Sequence, residues 1–241
     1  MSTSSFGKTE NTASPATARS VSTLAPLAAY DGFVVRQRAE PIELFGVEGA
    51  NAYDVFALDG TLVLYARERE GGLWGTLGRQ LGGHTLQAFA IDLCDNAGRT
   101  VLTLSHPARW FLQRLEVRSG SGRLIGVFEE CFSLVKKLVV KDGQGCSRFA
   151  MSTGFLSPWD FTFKRAAPRT PRRVAHIQKH WDGLGRELFT DADTLRVAFE
   201  ARELDTDERA LLLAAALFID LVWFERDGGG NLFDLSTEWG V

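Results

Sequence analysis

A run of basic residues over positions 164–173 is the strongest candidate for binding chemistry in this sequence. The run contains no acidic residue, and its five cations are Lys164, Arg165, Arg169, Arg172 and Arg173. Two prolines, Pro168 and Pro171, predict an exposed connection between strands. Each cation close to an anionic bilayer contributes about 1 kcal/mol of binding free energy. The run therefore favours contact with an anionic membrane surface, and a solvated loop is the alternative.

A second candidate for membrane contact is Trp74, which lies among leucines in the glycine-rich residues 71–83. A tryptophan beside leucines can lie at the headgroup level of a bilayer. The many glycines make an ordered segment unfavourable, however. A flexible hairpin loop is the alternative, and it stays open from the sequence.

Motifs for covalent catalysis are weak in this sequence. Residues 120–126 resemble a glycine-rich phosphate loop, but a predicted strand rather than a helix follows them. His176 and His180 have the i, i+4 spacing of a metal-binding pair, which converges only on a helix, whereas a strand end is predicted here. The sequence contains no G-x-S-x-G nucleophile motif. These patterns argue against an enzyme.

The composition is that of a folded protein without a strong charge bias. The chain has 241 residues, of which 45% are hydrophobic and 24% are charged, and its net charge is −3. Extensive disorder and nucleic-acid binding are therefore not expected. Three cysteines without CxxC spacing exclude a disulfide framework and suit a reducing compartment. Residues 1–24, rich in Ser, Thr and Ala, predict a disordered tail, and residues 227–241 predict a C-terminal tail.

Short apolar segments separated by turn residues predict a mainly β domain over residues 25–226. Thirteen candidate strands lie between Gly32 and Phe199, and two of them cover residues 41–47 and 132–140. Asp, Asn and Gly fill the breaks, as at residues 95–98. An open sheet of about a dozen strands would expose its edges, so we expect an antiparallel barrel that closes on itself.

One helix is predicted near the C-terminus. Asp205 and Glu208 have the spacing of a capping box, so the helix is expected over residues 206–226. Its apolar residues occupy every face, so every face must be covered by protein or by lipid. The apolar stretch reaches about 22 Å, which is less than the roughly 30 Å of a bilayer core. It also contains Asp220, which is costly at membrane depth.

We therefore expect this helix to form the core of the barrel, with single-pass insertion into a membrane as the less favoured alternative. The residues predicted to make this central core are Leu213, Leu217, Phe218, Asp220 and Phe224. A buried Asp220 requires hydrogen bonds to groups on the strands, or a cation such as Arg209.

The segments around this helix resemble the phospholipid scramblase family. Residues 179–183 have its Lys-x-Trp-x-Gly pattern, residues 186–193 its Arg-Glu-x-Phe-Thr-Asp-Ala-Asp pattern, and residues 218–225 the end of its C-terminal helix. Shorter motifs extend the likeness from Leu24 to Glu225. The resemblance implies a tubby-like fold, in which a twelve-stranded antiparallel barrel surrounds a hydrophobic C-terminal helix. It also implies calcium-stimulated movement of phospholipids between leaflets, or association with the inner face of a membrane.

The resemblance places a calcium site at Asp191 and Asp193. An EF-hand loop starting at Asp191 would need glycine at position six and glutamate at position twelve, but this chain has Arg196 and Arg202 there. Only weak Ca²⁺ binding is expected, with a dissociation constant of about 10⁻⁴–10⁻³ M, and an Asx turn leading into a strand is the alternative. The family's proline-rich N-terminus and cysteine cluster are also missing, which is typical of a divergent member, such as one from a bacterium.

The sequence thus predicts a scramblase-like protein that moves or binds phospholipids. We expect it to be cytoplasmic and peripheral at the inner face of the plasma membrane, with an anionic phospholipid surface as its partner. Weakly bound Ca²⁺ is the one cofactor that the sequence suggests, and nucleic acid is not an expected partner. The alternative is a soluble tubby-like module that binds a lipid headgroup or a protein and does not scramble lipids.

Overall fold

The computed structural model describes residues 24–37, 53–68, 89–107, 113–133, 135–154, 157–166, 171–180 and 194–224. Within these ranges the strands are β1 (Gly32–Gln37), β2 (Tyr53–Ala57), β3 (Leu62–Glu68), β4 (Phe89–Cys94), β5 (Thr100–His106), β6 (Arg114–Ser119), β7 (Leu124–Glu130), β8 (Lys137–Asp142), β9 (Ser147–Gly154), β10 (Ser157–Arg165), β11 (Arg173–His180) and β12 (Thr194–Phe199). The helices are α1 (Ala25–Ala28) and α2 (Thr206–Phe218), and Ile219–Phe224 continues α2 as a π-helix.

The strands form one closed antiparallel barrel. Each strand pairs with its neighbours in the chain, and the pairing of β1 with β12 closes the sheet. Phe33 lies opposite Val197 in this closing pair. Closure satisfies the backbone groups that the edges of an open sheet would expose. The barrel around a C-terminal helix confirms the predicted fold class.

The connections between strands divide the barrel into two ends. At the short-turn end lie the described turns 58–61, 95–99, 120–123 and 143–146, together with the segment 200–205 that leads into α2, and β10 ends there. At the opposite end, which we call the long-connection end, strands β1, β3, β5, β7, β9 and β11 end. Asp95 stabilises one of the tight turns, since its Oδ1 accepts hydrogen bonds from the backbone N–H groups of Ala97 and Arg99 at 2.9 and 3.0 Å.

The strand predicted over residues 41–47 lies outside the described residues. The strand predicted over residues 132–140 was placed too early, because β8 covers Lys137–Asp142. The backbone N–H of Cys131 bonds to the carbonyl oxygen of Lys137 at 3.0 Å, so the chain reverses between these residues. Phe132 is 85% exposed in this connection and is not part of a strand.

Helix α2 fills the interior of the barrel. Every residue from Ala210 to Leu221 is at most 1% exposed, including the predicted core residues Leu213, Leu217 and Phe218. Gly126 on β7 leaves no room for a side chain, because a Cβ atom there would lie 2.2 Å from the carbonyl oxygen of Lys141 on β8 and 2.9 Å from Leu211 Cδ2 on α2. The predicted capping box is present, since Asp205 Oδ1 accepts a hydrogen bond from the Glu208 backbone N–H at 2.8 Å.

The short helix α1 adds to this core. Leu24 and Leu27 are 1% and 0% exposed, so residue 24, which the sequence assigned to the tail, packs in the core instead. None of the helices in the described part of the chain combines the length and apolar character needed to cross a bilayer.

Candidate functional site at the two ends of the central helix

A buried ion pair holds the C-terminal end of α2 at the long-connection end of the barrel. Lys179 Nζ donates a hydrogen bond to Asp220 Oδ1 at 2.7 Å, and the Tyr53 hydroxyl donates to Asp220 Oδ2 at 3.0 Å. The side chains of Lys179 and Asp220 are 1% and 0% exposed. The pair links the helix to β2 and β11, on two sides of the barrel wall.

The cation suggested from the sequence for Asp220 was wrong. Arg209 donates instead to the backbone carbonyl oxygens of Leu204 and Tyr30. Arg209 precedes Asp220 by eleven residues, which is about 16 Å along an α-helix, so its side chain lies near the other end of the barrel. The alternation of β11 could have identified Lys179 as an inward cation. Ala175 and Ile177 point inward, and Lys179 has the same parity.

The helix changes from α to π geometry at the residues around Asp220. Ile219–Phe224 forms a π-helix, a geometry that is rare and is often found at functional sites. Trp223 is 2% exposed and packs against Phe218 and Phe161, with ring centroids 5.5 and 5.9 Å apart. The side chain of Phe224, the last predicted core residue, lies outside the described side chains.

A second ionic cluster holds the N-terminal end of α2 at the short-turn end. Glu208 Oε1 accepts hydrogen bonds from Arg148 at 2.8 Å and Arg165 at 2.7 Å. The Glu208 side chain is 4% exposed. Burial by itself would raise the pKa of Glu208, but hydrogen bonds and the positive charge of Arg165, with help from Arg148, hold this pKa below its ordinary value of 4.5. Both ends of the helix are therefore tied to the wall by charged groups.

The pH dependence of stability tests this second cluster. Glu208→Gln is expected to lower the free energy of unfolding at neutral pH by about 1.5–3 kcal/mol, the range for hydrogen bonds to charged groups. Because the folded-state pKa is lowered, the stabilisation is present above the unfolded pKa and is lost as the pH falls through the folded pKa. Urea denaturation at several pH values should show the variant and wild type converging in acid.

The matched control for this variant is Glu200→Gln, which removes the same charge from an exposed pair with Arg173. Such a pair is expected to contribute less than about 1 kcal/mol. A Glu208→Gln effect that is equally large in acid and at neutral pH would contradict the ionic role of Glu208.

The basic run predicted as a membrane surface is largely paired with acids. Arg165 bonds to Glu208, so its charge neutralises the buried carboxylate at the start of α2. Arg172 and Arg173 lie 3.9 and 3.3 Å from the carboxylates of Glu203 and Glu200. Lys164 is exposed on β10 and has no acidic partner within 4.0 Å among the described residues. Arg169 lies outside the described residues, so the predicted set is not a uniform patch of free cations.

Several of the predicted membrane and calcium residues lie outside the described residues. Trp74 lies outside the described residues, and the strands that flank it, β3 and β4, meet at the long-connection end. The basic run connects β10 to β11 at the short-turn end. The calcium candidates Asp191 and Asp193 lie outside the described residues too, between β11 and β12.

Other reactive side chains have ordinary local roles. His176 Nε2 bonds to Asp160 Oδ1 on the outer face of the neighbouring strands β11 and β10. In the described part of the chain, no three His, Cys, Asp or Glu residues come together as metal ligands. The three cysteines are free, with Cys94 buried, Cys131 partly buried and Cys146 exposed.

Comparison with known proteins relates this barrel to one family. The Scramblase family model matches residues 11–226. The chain is 31% identical to phospholipid scramblase 1 of Mus musculus over 84% of this chain and 63% of that protein. It is 28% identical to phospholipid scramblase 2 of Homo sapiens over 83% and 69% of the two chains. A phospholipid scramblase family protein of Schizosaccharomyces pombe is 26% identical over 88% and 64%.

The chain therefore spans slightly less than two thirds of the length of the yeast and mouse relatives. Among solved structures, an Arabidopsis thaliana protein aligns with a TM-score of 0.44 and 16% identity, over 83% of this chain and 97% of that one. The family match extends beyond the barrel at its N-terminal side and includes all of the described strands and α2. On that match, this chain belongs to the Scramblase family.

Proposed function

We propose that this protein acts on phospholipids at the inner face of the plasma membrane, where it binds the surface and moves lipids between leaflets. The observation that carries the proposal is the family match over residues 11–226. Moving a lipid requires no covalent chemistry, only a lower free energy for the headgroup within hydrocarbon. The proposal includes a cytoplasmic, peripheral location and weak Ca²⁺ binding at Asp191 and Asp193.

Electrostatic attraction supports the surface-binding half of this proposal. Lys164, Arg172 and Arg173 are exposed at or near the short-turn end, and Arg169 follows Lys164 in the chain. Anionic lipids attract such residues within about one Debye length, roughly 8 Å at physiological ionic strength. The acidic partners of Arg172 and Arg173 are themselves exposed, so a phosphate group can compete for these cations.

A second candidate function is lipid or protein binding without scrambling. The enclosure of α2 favours it, because Ala210 to Leu221 are buried and the helix is ion-paired at both ends. Within the described residues, the barrel interior is filled by this apolar helix, which does not offer polar groups along its length to shield a headgroup. The two functions therefore differ in whether the protein accelerates lipid exchange or only associates with the bilayer.

A dithionite assay distinguishes these functions. Proteoliposomes that carry fluorescent lipid in both leaflets are treated with dithionite, which destroys only accessible label. Under the proposed function, the protected label is lost faster than in protein-free vesicles, with and without added Ca²⁺ compared in parallel. Vesicles permeabilised to dithionite provide the control for leakage. If the protein binds the vesicles but the protected label persists, scrambling is refuted and the binding function is retained.

A further inference from the structure

A shallow groove on the outer wall of the barrel combines a weakly polar floor with two lysines. Its volume is about 390 Å³, and it lies across β8, β9 and β10. The residues that matter for its chemistry are Lys137, Val139, Ala150, Ser152, Thr162 and Lys164. Neighbours of opposite parity, such as Leu138 and Phe163, are buried, so these six side chains point outward from the sheet.

Strand register fixes how these residues are arranged. Lys137, Ser152 and Thr162 form one row across the three strands. Val139, Ala150 and Lys164 form the next row. The two lysines therefore occupy opposite corners, with Cα atoms about 12 Å apart by standard strand spacing. Both flexible side chains can bend over the small residues between them, where two hydroxyl groups are available as donors.

The charge of the groove is positive and unbalanced. Among the described residues, no acidic side chain lines it, and neither Lys137 nor Lys164 has an acidic partner within 4.0 Å. The third cation of the lining, Arg165, is engaged by Glu208. By contrast, the cavity of about 450 Å³ near the start of α2 is lined by Arg123 and Arg148 but also by four acids, and its arginines already bond to Asp207 and Glu208.

We propose that this groove binds the phosphate group of an anionic phospholipid in a bilayer, an inference that rests on the proposed function. Two ammonium groups and two hydroxyls are donors suited to phosphate oxygens, and the adjacent Val139 and Ala150 accept the apolar part of the headgroup region. Phe132 supports a bilayer rather than a soluble ligand, because it is 85% exposed and follows Cys131, which lines the groove. Exposed aromatic side chains are favourable at a membrane interface.

The test is vesicle flotation of the full chain with Lys137→Gln/Lys164→Gln. Vesicles of phosphatidylcholine are compared with vesicles that also contain phosphatidylserine. The partition coefficient for anionic vesicles should fall about fivefold for each lysine and roughly 30-fold for both. The matched control is Arg36→Gln/Arg67→Gln, which removes the same charge from exposed sites outside the groove, on β1 and on β3 across the barrel. This control should change the coefficient less than about twofold.

A second variant tests the small residues between the two lysines instead of the lysines themselves. Ala150→Glu places a carboxylate between the lysines at an exposed position, so it should reduce binding as strongly as the double lysine variant without disturbing the core. Glycerol phosphate in solution should compete only weakly, because it does not supply the bilayer that Phe132 contacts.

The outcomes separate this inference from the proposed function. If wild type binds anionic vesicles and the lysine variant binds equally well, the groove is refuted while the proposed function stands. Equal losses in the lysine and arginine variants would refute a specific site in favour of general charge attraction. Strong competition by glycerol phosphate would refute the bilayer as the ligand. Failure of wild type to bind any vesicle overturns both proposals.

Discussion

Lys179→Met is expected to lower the free energy of unfolding by about 3–5 kcal/mol, the cost of removing one partner of a buried ion pair. The variant leaves the Asp220 carboxylate, which is 0% exposed, without the ammonium that lies 2.7 Å away. Methionine fills a similar volume, so the loss reports the charge and not a cavity. Urea denaturation followed by tryptophan fluorescence measures it, since Trp223 is only three residues from Asp220.

Two further variants separate the ion pair from a general effect of lysine. Lys141→Met removes the ammonium 2.6 Å from Glu129, but both side chains are 33% exposed, so a cost of at most about 1 kcal/mol is expected. The double variant Lys179→Met/Asp220→Leu removes both buried charges and should recover most of the stability. If Lys179→Met costs no more than Lys141→Met, the buried pair does not hold the helix.

Phe218→Ala is also expected to cost about 3–5 kcal/mol, because a large side chain is removed from a packed core. Phe218 is 0% exposed and contacts Phe128 and Trp223, with ring centroids 5.8 and 5.5 Å away. If α2 instead left the barrel to span a bilayer, Phe218 would contribute little to the stability of the barrel in solution. The measurement therefore tests the position of the helix as well as its packing.

The matched control is Phe132→Ala, which makes the same chemical change at a side chain that is 85% exposed. A change within about 0.5 kcal/mol is expected there. The comparison should be repeated with protein bound to anionic vesicles. A Phe218→Ala cost that is large in solution but disappears on vesicles would contradict an enclosed helix in the membrane-bound state.

The same variants test whether release of α2 from the barrel contributes to lipid exchange. Under the proposed function, a helix enclosed by the barrel and tied at both ends leaves the outer wall and the connections as the surfaces available to a bilayer. Release of α2 would break the pairs at Asp220 and Glu208 and expose apolar residues, so Lys179→Met and Glu208→Gln should favour such release. If either variant increases lipid exchange in the dithionite assay, movement of α2 is part of the activity.

Local sequence patterns were sufficient to predict most of the secondary-structure elements of this fold. The capping box at Asp205 and Glu208 located the start of α2, and its uniform apolarity required a cover on every face. Turn residues at 95–98 located a reversal that the structure has. The error at β8 arose because the apolar residues near Phe132 suit a strand by composition, whereas backbone pairing starts only at Lys137.

Contacts between residues that are distant in the chain could not be predicted from local sequence patterns. Asp220 meets Lys179 and Tyr53, which are 41 and 167 residues away, and Glu208 meets Arg165 across 43 residues. The sequence marked Arg165 as a surface cation like Lys164, although Arg165 has the same parity as the buried Phe161 and Phe163 if the strand reaches it. Strand length and position decide the difference, because Arg165 ends β10 beside the start of α2 while Lys164 faces outward.

The sequence by itself determined a closed β barrel, a short apolar helix that must be covered, and membership of a family. Periodicity, capping and turn chemistry are local properties, and they act on residues within a few positions of each other. Only the tertiary structure decided which charges neutralise one another, which end of the barrel carries each connection, and that Lys137 and Lys164 share a groove. The physical reason is strand register, which brings together residues far apart in the chain and is set by the closure of the whole sheet.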